Sequence, residues 1–596
     1  MIVPARKQYK VVTETNVPMK TRDGVTLYAD VIRPAAEGRF PVLLSRTPYG
    51  KKGSDDPNGP TALYASYGYV NVVQDCRGRF ESEGDYDTIF QEAADGYDAV
   101  EWAARLPWSN GRVGTTGQSY LGLTQYLIAC NDPMPPSLVC QAPVSASADY
   151  HASWIYHTGG VSLWGWMVPY AISKGKNTLE RQGRKDLVEK LGEMLDGGFG
   201  MVRRTPNGLN AFAPLKDEWY RHLPIKDWAD ILKETAPYMA DHIAHADDGP
   251  YWHRANVNRH AASVSVPMLH VTSWYDIFAE GGLTAYQSIK SESRFDAARN
   301  GQRLIVGPWG HLLPYTFPSS RGAGDIDFGQ NAMIDLNEML LRWFDHWLKD
   351  ADNGVMDDPP VTVFTLGENR WQSLADWPPP KMRLVRWFLH SDGAANSLRG
   401  DGTLSTLPPS DEPADSYTYD PNDPAPSLGG NNLTIDMGVQ DQRPVEERND
   451  VLVYTSEPLT QPLEVTGPVT VHLWAASSAV DTDFTAKLVD VRPDGYAQNL
   501  LDGIVRARYR RSGEKPELMT PGTPYEFTID LWATSNVFLP GHRIRLEISS
   551  SCFPRFDRNL NTGEAFGEGS VGVAAQQRVL HDGAHASHVL LPVIPR

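Results

Sequence analysis

Cysteine and long apolar runs are scarce in this sequence. The four cysteines, Cys76, Cys130, Cys140 and Cys552, lack the paired C-x-x-C spacing of a zinc site and are too few for a disulfide framework. We therefore expect them to be buried thiols in a reducing compartment. No apolar run reaches the roughly 18 residues that a bilayer-spanning helix needs, which disfavours an integral membrane protein.

An excess of positive charge is also missing. The 596 residues carry a formal net charge of −18, from 55 lysines and arginines against 73 aspartates and glutamates. Such an acidic chain disfavours nucleic acid and anionic membranes as partners and is compatible with a small-molecule substrate. The first residues contain no apolar core of signal-peptide length, so we expect a cytoplasmic protein.

The apolar pattern predicts an α/β fold that is followed by an all-β domain. Segment 16–34 alternates apolar and polar residues around an Asp-Gly turn, which predicts an antiparallel hairpin. Short apolar strands then alternate with amphipathic helices, as expected for a parallel sheet. A helical, tryptophan-rich stretch interrupts this pattern, and a long helix over 331–349 precedes short alternating strands.

A chain of this length is too long for one domain, and the changes in apolar pattern indicate where it divides. The predicted units are the first part of an α/β-hydrolase core at 1–149, a helical cap at 150–256, the second part of the core at 257–356, and a β-sandwich domain at 357–596.

The segment around Ser119 carries the strongest chemical signal. A predicted strand at 113–116 runs directly into Gly-Gln-Ser-Tyr-Leu-Gly and a helix. A serine nucleophile needs a neighbouring base and an unobstructed position, and a sharp strand-to-helix turn provides that position. Gly117 fits the motif G-x-S-x-G, but Leu121 occupies the place of the second glycine and Gly122 follows it. On this string alone, a glycine-bounded turn with a capping serine remains the alternative.

Two further strand ends supply an acid and a base. Asp276 follows a predicted strand at 268–272, and His311 follows another at 303–306. The chain order Ser119, Asp276, His311 is that of the α/β-hydrolases. We predict that His311 takes the serine proton while Asp276 holds the imidazole tautomer. A helix N-cap is the alternative role for Asp276.

The sequence around these residues resembles the CocE/NonD hydrolases, the family of cocaine esterase and of relatives of the Xaa-Pro dipeptidyl-peptidases. The matching stretches are Arg46-Thr47-Pro48-Tyr49, Gln74–Arg79 with Ser82-Glu83-Gly84, Gly117–Gly122, Trp274-Tyr275-Asp276, Gly307–His311 and Gly541–Arg545. The likeness covers nearly the whole chain. It implies an α/β-hydrolase core with a helical cap insertion and a C-terminal jelly-roll β-sandwich domain, with no cofactor.

The resemblance also implies site residues beyond the triad. In this family the oxyanion is held by a tyrosine hydroxyl and by the backbone N–H after the nucleophile, which correspond to Tyr49 and Tyr120. From the residues alone, Tyr49 would be an ordinary aromatic at a strand end. The cap residues Trp154, Trp164 and Trp166 either line an apolar substrate pocket or form the core of the cap.

Two acidic motifs are interpreted as structural. Asp75 and Arg77 follow a predicted strand, and we expect them to form a buried ion pair with each other near the site. The Asp481-x-Asp483 motif lacks the further ligands of a calcium loop, so we predict ion pairs and no metal there.

The sequence thus favours a serine hydrolase that cleaves a small carboxylic ester through an acyl-enzyme. The alternative is an amide-cleaving relative such as an Xaa-Pro dipeptidyl-peptidase, an α-amino ester hydrolase or a β-lactam acylase, whose ammonium or carboxylate anchor the sequence does not reveal. A catalytically silent carbohydrate- or polymer-binding protein is a third hypothesis, against which the retained triad argues. The expected partners are a small ester or amide and, by resemblance, a second copy in a homodimer.

Overall fold

The computed structural model describes residues 8–54, 56, 59–199, 203–205, 208–210, 212–311 and 322–596. The strands of the first part of the chain are β1 (Val11–Lys20), β2 (Thr26–Pro34), β3 (Phe40–Thr47), β4 (Val70–Asp75), β5 (Ser109–Gln118), β6 (Leu138–Val144), β7 (Arg203–Thr205), β8 (Gly208–Asn210), β9 (Leu269–Ser273), β10 (Arg303–Gly307), β11 (Gly322–Ala323), β12 (Ile326–Asp327), β13 (Val361–Thr365) and β14 (Arg370–Leu374).

Ten of these strands form one sheet in the order β1-β2-β4-β3-β5-β6-β9-β10-β13-β14. Neighbouring strands from β4 to β13 run parallel, and the strands at both edges are antiparallel. The predicted opening hairpin is confirmed, with Val17 paired to Ala29. Because parallel strands end at one edge of a sheet, the loops that follow β5, β9 and β10 meet there.

Helices cover both faces of the sheet. The helices are α1 (Pro60–Ser66), α2 (Glu92–Ala104), α3 (Tyr120–Ala129), α4 (Trp164–Arg181), α5 (Lys185–Met194), α6 (Asp217–Tyr220), α7 (Asp227–Ile231), α8 (Tyr238–Ala244), α9 (Pro250–His253), α10 (Ala279–Glu292), α11 (Asp296–Asn300), α12 (Leu336–Lys349) and α13 (Arg443–Glu446). In β3, Val42 and Leu44 pack in the cluster of α2 and α3, while Leu43 between them packs in the cluster of α12. This alternation follows from the two-residue period of a strand.

Helix α12 begins five residues after the predicted start at 331. Asp335 is its N-cap, and its side chain accepts a hydrogen bond of 2.9 Å from the backbone N–H of Glu338. A capping carboxylate satisfies an amide that the helix leaves unpaired, so the helix starts there.

The chain between β6 and β9 forms a helical layer that contains α4 to α9. Its tryptophans are buried except for the partly exposed Trp219, and Trp228 and Trp252 are fully inaccessible to solvent. The same segment also contains the short hairpin of β7 and β8, which the sequence pattern did not indicate. In the part of the chain that is described, no helix is long and apolar enough to span a bilayer.

The C-terminal part of the chain is a β-sandwich. Its strands are β15 (Arg383–His390), β16 (Thr403–Ser405), β17 (Asp415–Tyr419), β18 (Leu452–Thr455), β19 (Leu463–Ser477), β20 (Asp483–Val491), β21 (Ala497–Arg506), β22 (Tyr525–Phe538), β23 (Arg543–Ser549), β24 (Ala575–Leu580) and β25 (His588–Ile594). Alternate residues such as Val471, Leu488, Ile529 and Leu546 share one core. Inward-facing apolar residues on every second position are typical of a sandwich.

A second serine, histidine and aspartate cluster lies inside this β-sandwich. The Ser391 hydroxyl donates to Asp415 at 2.8 Å, and His581 Nε2 lies 2.9 Å from the same carboxylate. The Tyr454 hydroxyl donates a further hydrogen bond of 2.7 Å, and His581 Nδ1 lies 3.3 Å from Glu412. Ser391, Asp415 and His581 are buried, so no substrate reaches them and the cluster is structural.

We expect Asp415→Asn to lower the free energy of unfolding by about 3–5 kcal/mol, as when one partner of a buried charge pair is removed. Burial opposes ionisation of both groups, but hydrogen bonds to His581 and its neighbours lower the pKa of Asp415, and Asp415 raises the pKa of His581. The aspartate contribution is lost as the pH falls below the usual aspartate range. The histidine contribution is complete below the usual histidine pKa and is lost as the pH rises through the raised value. The loss should therefore be greatest between about pH 4 and 6.5.

Urea unfolding of the wild type and variant at pH 5 and pH 9 measures this difference. Asp411→Asn, at an exposed position of the same domain, is the matched control and should change stability little. A loss that is no larger at pH 5 than at pH 9 would contradict the charged pair.

Candidate active site

Ser119 occupies the turn between β5 and α3. Its backbone has φ 63° and ψ −126°, a conformation that is strained for a residue with a Cβ. The strain persists because the turn is held on both sides: Ser119 N–H donates to Val144 O at 2.9 Å, and Leu123 N–H donates to Ser119 O at 2.8 Å. The sharp turn places the hydroxyl at the carboxyl end of the sheet.

The two glycines around Ser119 explain the departure from G-x-S-x-G. Gly117 has φ +142°, and a Cβ there would lie 2.4 Å from the Cβ of Leu121. At Gly122 a Cβ would lie 2.8 Å from Ala146 Cβ and from Val144 O. The close approach therefore falls at residue 122, so a leucine is tolerated at 121.

Asp276 and His311 form a buried hydrogen-bonded pair at the same edge of the sheet. His311 Nδ1 lies 3.0 Å from Asp276 Oδ1, which also accepts the backbone N–H of Phe278 at 2.8 Å. The two side chains are 0% and 4% exposed. A carboxylate on Nδ1 selects the tautomer whose Nε2 is free to accept a proton.

Backbone hydrogen bonds tie the loop that carries Asp276 to the loop that carries His311. Trp274 N–H donates to Gly307 O at 2.9 Å, and Tyr275 N–H donates to Trp309 O at 3.1 Å. Such ties hold the acid and the base in one relative orientation, which is what proton transfer requires.

The β-sandwich also contributes to this arrangement through Asn431. Its side-chain amide donates to the carbonyls of Trp274 and Asp276, each at 2.8 Å. From the other side, the Gln118 amide donates to the His311 carbonyl. Sequence analysis missed Asn431 because it lies 155 residues from Asp276 and no local motif marks it.

Tyr49 lies beside the nucleophile. The polar groups within reach of its hydroxyl are the hydroxyls of Ser119 and Tyr170 and the backbone N–H of Tyr120. Burial raises the pKa of Tyr49, so the phenol stays neutral and able to donate. The phenol and the Tyr120 amide are therefore neighbours beside Ser119, where the two donors of the predicted oxyanion hole would have to lie.

The side chain of Tyr120 is not part of this hole. Its hydroxyl points into the core, where it donates to Glu92 at 3.0 Å and accepts from Ile89 N–H at 3.2 Å. Glu92 is paired with the buried guanidinium of Arg46. This buried network anchors the first residue of α3, so the contribution of Tyr120 is its backbone N–H at the positive end of a helix.

The three tryptophans predicted at the substrate pocket lie in two places. Trp154 stacks on Phe278 with ring centres 4.6 Å apart, and Trp166 lies edge-on to Phe278 at 5.8 Å. Phe278 itself meets the His311 ring at 5.3 Å. Trp164 instead donates its indole N–H to Tyr220 O at 2.9 Å inside the cap. Trp154 and Trp166 thus belong to the surroundings of the base, and Trp164 belongs to the packing of the cap.

The predicted ion pair between Asp75 and Arg77 is wrong. Asp75 pairs with Lys51, with Nζ 2.9 Å from Oδ2, and Arg77 pairs with Asp95 at 2.5 Å and Asp23 at 2.8 Å. Strand β4 ends at Asp75 and Arg77 lies in the turn that follows it, so the two side chains do not share a strand face and each meets a different element.

The ion pairs predicted for Asp481 and Asp483 are present. Asp481 accepts from Arg508 at 2.8 Å, and Asp483 accepts from Arg506 at 2.9 Å. Among the described residues, one group brings three metal-ligand atoms together, namely Asp248, His253 and Glu514. The Arg259 guanidinium lies 3.3 and 3.0 Å from the Asp248 and Glu514 carboxylates. An arginine therefore already pairs with both carboxylates and neutralises the charge that a metal ion would need.

Comparison with known proteins shows which family this chain belongs to. The model of the X-Pro dipeptidyl-peptidase (S15) family matches residues 23–313, and the model of the X-Pro dipeptidyl-peptidase C-terminal non-catalytic domain matches residues 353–590. Cocaine esterase of Rhodococcus is 38% identical over 99% of both chains. The chain belongs to the CocE/NonD hydrolases. This confirms the predicted family and fold class, and the chain is a serine hydrolase of carboxylic esters.

Solved structures that resemble this chain include an aminopeptidase and an ester hydrolase. An aminopeptidase from a marine sediment thaumarchaeon has a TM-score of 0.81 at 25% identity, covering 100% of this chain and 98% of its own. An α-amino acid ester hydrolase has a TM-score of 0.78 at 26% identity, with the same coverage. The fold of the whole chain is therefore shared with both kinds of enzyme.

Proposed function

We propose that this CocE/NonD hydrolase cleaves a carboxylic ester with Ser119 as nucleophile, His311 as general base and Asp276 as its orienting carboxylate. The observation that carries the proposal is the buried hydrogen bond between His311 and Asp276, at the sheet edge where Ser119 occupies its strained turn. None of these three residues needs a metal for its role.

The reaction proceeds in two acyl transfers. Ser119 Oγ attacks the ester carbonyl as its proton passes to His311 Nε2, and Asp276 stabilises the imidazolium. The carbonyl electron pair moves onto oxygen, which accepts hydrogen bonds from the Tyr49 hydroxyl and the Tyr120 N–H. When the intermediate collapses, the imidazolium protonates the departing alcohol. Water then attacks the acyl-enzyme by the same route, releasing the acid and restoring Ser119.

A relative supports an apolar or aromatic substrate group, because a protein that is similar over the full length is a cocaine esterase. Phe278, Trp154 and Trp166 form a contiguous aromatic cluster beside His311. All three rings are at most 2% exposed, so they pack around the proposed base and do not line an open pocket.

Amide hydrolysis is the second candidate, because the aminopeptidase shares the whole architecture. Ester and amide chemistry use the same triad, so the distinction lies in the recognition of the leaving group and of any substrate ammonium.

A matched set of chromogenic substrates tests the two candidates. We expect p-nitrophenyl butyrate and p-nitrophenyl benzoate to be hydrolysed, and Ala-Pro and phenylglycyl p-nitroanilides to be left intact. The reason is that Glu180, the acidic residue in the described wall of the cavity beside Tyr49, is half-exposed and pairs with Lys176, so it does not offer a buried anchor for a substrate ammonium. Initial rates of p-nitrophenol and p-nitroaniline release measure both reactions. Turnover of an ammonium-bearing anilide at a rate similar to the esters would favour the peptidase instead.

A further inference from the structure

A cavity lies next to the oxyanion hole and shares Tyr49 with it. Its volume is about 220 Å³, which is enough for several non-hydrogen atoms of a ligand. Its walls include Tyr49, Arg79, Lys174, Glu180 and Phe212. Basic side chains therefore outnumber acidic ones in the described wall of this cavity.

Lys174 is the unusual member of this wall. The residue is only 6% exposed, and its ammonium nitrogen lies 3.9 Å from the centre of the Tyr49 ring, 5.0 Å from Phe212 and 5.3 Å from Tyr170. Burial, and then the charge of Arg79, lower its pKa well below the usual lysine value, and no described carboxylate opposes this shift. The faces of these aromatic rings therefore partly replace the water that the Lys174 side chain loses on burial.

Arg79 is a second buried cation without an acid. It is 2% exposed, and among the described residues its guanidinium donates to neutral oxygens alone: Pro48 O at 3.0 Å, Lys174 O at 2.9 Å and Thr178 Oγ1 at 3.3 Å. The one acidic wall residue, Glu180, is about half-exposed and lies 3.8 Å from Lys176, with which it pairs.

A buried lysine and a buried arginine without a described acidic partner are costly to hold in the charged form unless an anionic ligand compensates them. We infer that the cavity binds a carboxylate of the substrate, and that the substrate is an ester carrying this carboxylate a few atoms from the scissile carbonyl. This inference rests on the proposed ester hydrolysis and adds an anionic group to the substrate class. It also opposes an ammonium anchor, because a substrate cation would meet Lys174 and Arg79.

Matched ester pairs test the inference on the wild-type protein. The first pair is p-nitrophenyl pentanoate and p-nitrophenyl hemiglutarate, whose acyl chains have the same length but end in a methyl group or a carboxylate. The second pair is phenyl acetate and 4-acetoxybenzoate, which carries the carboxylate on the alcohol side. We expect kcat/KM for the charged member of at least one pair to exceed that of the neutral member by about tenfold or more, the range for a hydrogen bond to a charged group.

Lys174→Met should remove most of this preference. The expected result is that the ratio of kcat/KM for the charged ester to that for the neutral ester falls by about tenfold, whatever happens to the absolute rates. Lys174→Arg keeps the charge and should retain part of the preference. Lys190→Met, at an exposed position in the same helical layer, is the control and should keep the wild-type ratio.

A binding measurement keeps the test decisive if Lys174→Met fails to fold. Glutarate should inhibit the wild type at lower concentration than pentanoate, since only glutarate has a second carboxylate and can place one beside Ser119 and the other in the cavity. Equal inhibition by the two acids, together with no charged-ester preference in either pair, would overturn the carboxylate site. Continued hydrolysis of the neutral esters in that case would leave the proposed ester hydrolysis intact, whereas loss of all ester turnover would overturn both.

Discussion

Ser119→Ala is expected to abolish ester hydrolysis, with kcat lowered by roughly 10⁶-fold, as when the nucleophile of another serine hydrolase is removed. The same change should abolish covalent labelling by a fluorophosphonate. The reason is that no other described hydroxyl occupies the turn between β5 and α3 beside the His311–Asp276 pair. Initial rates with p-nitrophenyl butyrate and mass spectrometry of the labelled protein measure both effects.

The β-sandwich offers a matched control for this variant. Ser391 also lies beside a histidine and an aspartate, but it is buried away from the sheet edge. Ser391→Ala should therefore keep both kcat and labelling, although it loses a buried hydrogen bond. If Ser119→Ala stayed active or labelled while remaining folded, the nucleophile would be wrong.

The core of the site could be predicted from the sequence because three strands each deliver one polar residue at the same edge. Strand ends can be located from short apolar runs, and parallel strands bring their ends together. The prediction of Ser119, Asp276 and His311 as the triad was made in this way. The role of Tyr49 came from the family resemblance, since a tyrosine at a strand end has no distinctive local pattern.

Residues that are brought to the site from other parts of the fold were not predictable. Asn431 reaches the acid loop from the β-sandwich, and its contact depends on how two domains pack. Arg77 was paired with the wrong acid because the sequence does not show that Asp95 on α2 faces it. Such contacts need the tertiary arrangement.

Lys174 did leave a signal in the sequence. Trp166, Tyr170 and Lys174 follow each other at intervals of four along α4, which places them on one face of the helix. A lysine on an otherwise apolar helix face is either covered by other side chains or has a function. The structure shows that it is covered by aromatic rings next to the oxyanion hole.

Tyr49→Phe is expected to lower kcat by about 10²–10³-fold, the range for loss of one oxyanion-hole donor. KM should change much less, because the phenol contributes most when charge develops on the carbonyl oxygen. Burial raises the pKa of Tyr49, so ionisation of this phenol should not reduce wild-type activity near the ordinary tyrosine pKa of about 10. Steady-state kinetics of ester hydrolysis up to pH 10 measure both expectations.

A second tyrosine provides a control that separates a catalytic effect from the effect of losing a buried hydroxyl. The Tyr417 hydroxyl makes a hydrogen bond of 2.8 Å with Ser550 in the β-sandwich, so Tyr417→Phe also removes one buried hydrogen bond. It should lower stability by about 1 kcal/mol and leave kcat unchanged. The contrast isolates the hydroxyl of Tyr49 as a donor to the transition state. A kcat for Tyr49→Phe within twofold of the wild type would instead leave the Tyr120 N–H as the donor and require a different second group.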